Sequence, residues 1–155
     1  MKKQTFSQAQ IKKYLKICNT DPCQKNIGLK ATKINLKKAV IELPLTEKHI
    51  NFENCVHGGI LSFLMDTTMG FVVYPHLKEG ERILVVDLKV SYLKAALLSM
   101  KKIKTKARLV SRTKRFAVSE GEILSPKGDI LCKGMGTYAI IKRATSPSTP
   151  LRVND

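Results

Sequence analysis

The segment from Gly58 to Tyr74 restricts the fold more than any other part of the chain. Its apolar residues go nearly all the way round a helical projection, which describes a buried helix rather than a surface one. Pro75 stops the run. Inside it stands one carboxylate, Asp66. An unpaired buried carboxylate is costly or shifts its pKa, so an acid in such a place reads as a working group. In front of the segment stands Asn51-Phe52-Glu53-Asn54-Cys55-Val56-His57-Gly58-Gly59. The first N–H groups of a helix have no partner within it, and the helix dipole makes them attractive to negative charge. Glycines there let another molecule approach the backbone closely. Such a corner suits an oxyanion or a polarised carbonyl. Helical spacing puts Gly59, Ser62, Asp66 and Gly70 on roughly one face, where small residues around one acid leave room for a ligand.

The other elements follow from periodicity and turn chemistry. Ser7 to Ile17 reads as a helix capped by Ser7, with Ile11, Tyr14, Leu15 and Cys18 at helical spacing. Asp21-Pro22 reads as a turn, and Ile27 to Thr32 and Ile34 to Leu43 as two strands broken near Lys33. Ile83 to Tyr92 reads as a strand with Leu84, Val86, Leu88 and Val90 on one face. Strands are also expected over Lys101 to Ser111, Phe116 to Leu124 and Ile130 to Ile141. The turns between these last three are Arg112-Thr113-Lys114-Arg115 and Ser125-Pro126-Lys127-Gly128-Asp129. The order is therefore helix, two strands, one buried helix, then four strands in meander. A sheet this long must bury one face, and only the central helix is apolar enough to fill it. The expected class is α+β: an antiparallel sheet wrapped around one long helix, with an extra N-terminal helix. At 155 residues this is one domain, 1–143, with the Ser- and Pro-bearing stretch from Ala144 onward as a flexible tail.

The sheet, the helix and the motif together resemble the hotdog-fold thioesterases of the PaaI type, which hydrolyse acyl-CoA thioesters. Members share an Asn, then His-Gly-Gly, then an acid within the central helix; Asn51, His57, Gly58, Gly59 and Asp66 match. The run from Val86 to Ala96 resembles the family's strand after the helix, with its aromatic-x-x-(Pro/Ala)-Ala ending. The resemblance implies that the Gly58 N–H polarises the thioester carbonyl and that Asp66 acts as general base on water or as a nucleophile. It implies that Asn51 orients the carbonyl or the water, and that His57 positions the thioester and supports the turn. Gly59 and Ser62 would line the substrate. In the family each site forms between two subunits, so a homodimer or homotetramer is expected. Two departures stand out. Many members carry Ser or Thr at the position of Val85, where the hydroxyl holds the attacking water, and the turn before His57 has Asn54 where Gly is common.

Charge adds a question about partners. The chain carries 28 basic and 12 acidic residues, a net charge of +16. Coenzyme A phosphates, an acidic acyl carrier protein and nucleic acid would each suit a basic surface. Arg112, Lys114 and Arg115 are candidates for coenzyme phosphates or an acidic carrier, against the default that turn charges are simply solvated. No aromatic stacking strand or helix-turn-helix pattern accompanies the charge, so nucleic acid is not expected. A non-catalytic module that binds acyl-CoA or an acyl carrier protein is the alternative to an enzyme. His49 and His76, near element ends, read as surface residues. The four cysteines, Cys18, Cys23, Cys55 and Cys132, complete no zinc set and read as buried or free thiols. No cofactor or metal is implied, no apolar run is long enough to span a membrane, and cytoplasm is the expected location.

Overall fold

The structure, a computed structural model, describes residues 6–142, and the predicted tail lies outside them. The elements run α1 (Gln8–Thr20), α2 (Pro22–Ile27), β1 (Lys30–Ile34), β2 (Ala39–Pro44), α3 (Gly58–Phe71), β3 (Glu81–Tyr92), β4 (Lys102–Arg112), β5 (Phe116–Leu124) and β6 (Ile130–Lys142). The strands form one six-stranded antiparallel sheet in the order β1-β2-β4-β5-β6-β3. It curls around α3, which packs against β2, β3, β4, β5 and β6. Leu64, Met65, Met69, Val72 and Val73 are fully enclosed there. Each such side chain contributes roughly 1.5–3 kcal/mol through burial. This is the hotdog arrangement expected from the sequence.

Close packing of helix on sheet depends on two glycines. Gly121 and Gly134 face each other across the β5–β6 pair. A Cβ on Gly121 would come within 2.9 Å of Met65 Sδ, and one on Gly134 within 2.9 Å of Met65 Cγ. The sheet therefore reaches α3 only because these positions carry no side chain.

Several local expectations needed correction. Asp21-Pro22 opens a second helix instead of a simple turn. The Asp21 carboxylate accepts from Gln24 N at 3.0 Å, Pro22 takes the first helical position, and Gly28 closes α2 at φ 86°. The strand expected from Ile27 thus starts at Lys30. The hairpin break falls at residues 35–38, where Asn35 Oδ1 accepts from Lys37 N and Lys38 N; near Lys33 there is only a register irregularity within β1. The central helix ends at Phe71, and Tyr74–His76 form a 3-10 turn.

The four-strand meander is also corrected. Only β4, β5 and β6 meander; β3 pairs with β6 at the far edge of the sheet. The link between β3 and β4 is too long for a tight hairpin. It is tied down instead by Leu93 N and Lys94 N donating to Leu131 O, and by Val56 N donating to Ala96 O. The β3–β6 register shifts between Val85 and Asp87, a β-bulge. The bulge breaks the single apolar face expected of β3: Leu88 and Val90 are half-buried, whereas Leu84 and Val86 are exposed.

Of the two histidines expected at the surface, His49 is corrected outright and His76 is only partly covered. His49 is buried at 4% exposure, with Nε2 2.9 Å from Ile27 O and Nδ1 accepting from Thr46 N. It pins the loop ahead of α3 to the end of α2. His76 is half-buried, with Nε2 3.0 Å from Leu36 O, and burial depresses its pKa.

Candidate active site

The start of α3 is built by His57 and two glycines. His57 is the N-cap, and its Nδ1 accepts from Gly59 N at 2.9 Å. Among the described residues no acceptor takes the Gly58 N–H, so of the two glycine amides it is the open one. Tyr92, at the end of β3, closes over this corner. Its hydroxyl donates to Gly58 O at 3.2 Å and shares a short hydrogen bond with Ser62 Oγ. A cavity of about 280 Å³ adjoins the corner, lined by Asn51, Cys55, Gly58, Tyr92 and the β3–β4 link. Asn51 therefore borders the same cavity as Gly58. Its Oδ1 is occupied by its own loop, accepting from Glu53 N at 3.0 Å and Cys55 N at 3.2 Å.

Asp66 lies two turns further along α3, half-buried. Tyr138 OH, from β6, is 3.1 Å from both Asp66 Oδ1 and the Asp66 carbonyl oxygen. Among the described residues no cation pairs with this carboxylate. Burial raises the Asp66 pKa above the usual carboxylate value, and the Tyr138 hydrogen bond opposes that rise. Tyr138 itself is buried, and its own pKa is pushed up by that burial and by the facing carboxylate. Sequence reasoning missed Tyr138. The available signal was a tyrosine on an inward strand position, whose hydroxyl needs a partner when buried.

The small-residue face of α3 runs along β3. Ser62 meets Tyr92, and Gly70 packs against Tyr138 and Ile83. Val85 stands directly opposite Tyr138 across the β3–β6 pair. Directly opposed residues share a face, so Val85 borders the Asp66 side of the sheet. Arg112 is engaged elsewhere: its Nη2 donates to Glu81 Oε2 at 2.6 Å and its side chain is mostly covered. Lys114 and Arg115 are exposed in the β4–β5 turn. That turn lies beside Phe116 and Ala139, at the end of the sheet where α3 finishes, whereas Gly58 lies at the Tyr92–Cys132 end.

One chain therefore does not bring all the candidates together. Gly58 and Asp66 are eight residues apart on one helix, which separates their backbones by about 12 Å along its axis. That is too far for both to touch one carbonyl group.

Comparison with known proteins agrees with this fold. The family model of the thioesterase superfamily matches residues 53–132, from the loop before His57 through Cys132. The chain belongs to the thioesterase superfamily. No match among curated proteins reaches significance. Among solved structures, a thioesterase from Haemophilus influenzae aligns with TM-score 0.79 at 15% identity, covering 93% of this chain and 96% of that one. A mutant of the phenylacetic acid degradation protein PaaI from Thermus thermophilus aligns with TM-score 0.69 at 20% identity, covering 77% and 98%. A hypothetical thioesterase from Streptococcus pneumoniae, solved with coenzyme A, aligns with TM-score 0.67 at 22% identity, covering 75% and 88%. No helix among the described residues is long and apolar enough to cross a membrane.

Proposed function

We propose that the protein is an acyl-CoA thioesterase whose site is completed by a second copy of the chain. The observation that carries this reading is the Asp66 carboxyl group: half-buried, held by Tyr138, without a cation among the described residues, on the small-residue face of α3. Asp66 takes a proton from water as the water oxygen attacks the thioester carbonyl carbon. The carbonyl oxygen becomes an oxyanion that accepts from the Gly58 N–H of the partner subunit. The tetrahedral intermediate then collapses, the C–S bond breaks, and the departing thiolate receives the proton. Ser62 and Val85 border the acyl group, Gly59 and His57 support the oxyanion corner, and Asn51 holds the loop beside it. The coenzyme A bound by the pneumococcal relative supports the choice of thioester.

The edge of the sheet supports the second copy. Among the described residues β3 pairs with β6 alone, and its other edge is open. Along it Leu84 is 54% exposed, Val85 52% and Val86 60%. A long, apolar, unprotected edge is a template for pairing with another chain. Two β3 strands joined antiparallel would run two copies of α3 in opposite directions, bringing each Asp66 toward the other chain's Gly58 corner. The same arrangement would carry Lys114 and Arg115 of one subunit toward the corner of the other, where coenzyme phosphates could meet them.

The test is release of free thiol from a panel of acyl-CoA esters. Asp66→Ala should reduce the rate by about 10²–10⁴ while leaving the oligomer intact. Activity that survives the substitution removes Asp66 from the mechanism. A second reading, acyl-CoA binding without turnover, draws on Val85, which supplies no hydroxyl for the water at that position. Tight binding with no thiol release across chain lengths would favour it.

A further inference from the structure

A second depression, about 650 Å³, lies on the opposite face of the sheet from α3. Its floor crosses Gly121 and Gly134, the two positions where the sheet closes on Met65. Because a Cβ at those positions would point toward α3, their neighbours on the strands point the other way and form the walls. Two ion pairs belong to the walls: Arg108 with Glu120 at 2.6 Å, and Lys133 with Glu122 at 3.2 Å. Both carboxylates are thereby matched. Lys37 and Lys38 from the β1–β2 turn, Lys89 from β3 and Lys106 from β4 remain, and among the described residues none of them has an ion pair.

We propose that this basin binds a compact small-molecule polyanion carrying several adjacent phosphates, such as a nucleoside triphosphate. Four exposed, unmatched lysines from three separate elements border one hollow. Their mutual repulsion disfavours the empty state, and an anion of concentrated charge relieves it. The volume suits a small molecule, within the range of about 300–1,000 Å³ typical of ligand pockets. Macromolecular partners fit less well. No aromatic side chain lines the basin, so it lacks the stacking platform of single-stranded nucleic acid sites. Among the described residues Met135 is the one large apolar side chain on it, too little to anchor a protein segment. The basin lies across the sheet from Asp66, so this proposal stands or falls separately from the thioesterase reading.

The experiment is calorimetric titration of the full chain with inorganic tripolyphosphate at about 0.1 M salt, where long-range surface attraction is largely screened. One saturable site per chain is expected. The Lys89→Glu/Lys106→Glu variant should weaken it by at least about tenfold. A control with the same charge change elsewhere, Lys16→Glu/Lys127→Glu, should shift it by less than about twofold. The KM for acyl-CoA should stay unchanged in both variants. The proposal is overturned by the absence of saturable binding, by equal weakening in the control, or by a parallel rise in KM, which would make the basin part of the thioester site. Binding of poly-glutamate or single-stranded DNA in preference to tripolyphosphate would overturn it too.

Discussion

The two edges of the sheet are finished in opposite ways. At β1, helix α1 lies against the strand, and Asn19 from that helix extends the ladder. Its Oδ1 accepts from Ala31 N at 2.7 Å and its Nδ2 donates to Ala31 O at 3.0 Å. Phe6 stacks on Tyr14, and Tyr14 meets Tyr74 at a tilt, both pairs with ring centroids 5.7 Å apart, tying α1 to the turn after α3. At β3 nothing among the described residues does this work, and the apolar residues Leu84, Val85 and Val86 are exposed. A covered edge is closed to further pairing, whereas a bare apolar edge is a template for pairing with another chain, which is the role proposed for β3.

That contrast can be broken most sharply at β3. Leu84→Lys/Val86→Lys puts two charges on the bare edge, and analytical ultracentrifugation should then report monomers. If the partner supplies the oxyanion donor, thiol release should fall by about 10²–10³ with the oligomer. Monomers that retain full activity would mean that the site is complete in one chain. The opposite edge should respond differently. Asn19→Ala leaves the Ala31 backbone without its partner and should lower unfolding stability by about 1–3 kcal/mol in a urea titration. Its oligomeric state should not change. A smaller effect sharpens the site next to the bare edge. Tyr138→Phe removes the hydrogen bond that opposes the burial-driven rise in the Asp66 pKa, so that pKa should rise further. Asp66 must be ionised to act as base, so the acidic limb of kcat/KM should move to higher pH. A limb that stays in place would reduce Tyr138 to packing.

The sequence signalled what local chemistry determines. His57-Gly58-Gly59 marked the start of α3 because a cap followed by small residues opening an apolar run has few other uses. The alternating strands β4, β5 and β6 were equally clear because their turns are short and rich in Gly, Pro and charge. Pairing between distant strands left no such trace. The place of β3 beside β6 depends on where the Leu93–Lys101 link is pinned, by contacts with Leu131 and Val56. α2 was hidden because Asp21-Pro22 serves equally to start a turn and a short helix. In the candidate site the acid and the glycine corner were legible from residue type and spacing. Tyr138 was not, since it lies 72 residues beyond Asp66 and meets it only in three dimensions. The burial of His49 escaped notice for the same reason: its acceptor, Ile27 O, belongs to a distant turn.

The extra residue in β3 makes length the guarded property of that strand. Ile83 packs on Gly70 and Tyr92 covers Gly58, so one strand attends to both ends of α3. Those two positions differ in parity, and an unbroken zigzag would send one of them outward. With one codon deleted between them the two positions would match in parity, and a straight strand would still turn both toward α3; with two deleted the mismatch would return without a bulge to absorb it, and the tyrosine would swing away from the glycine corner.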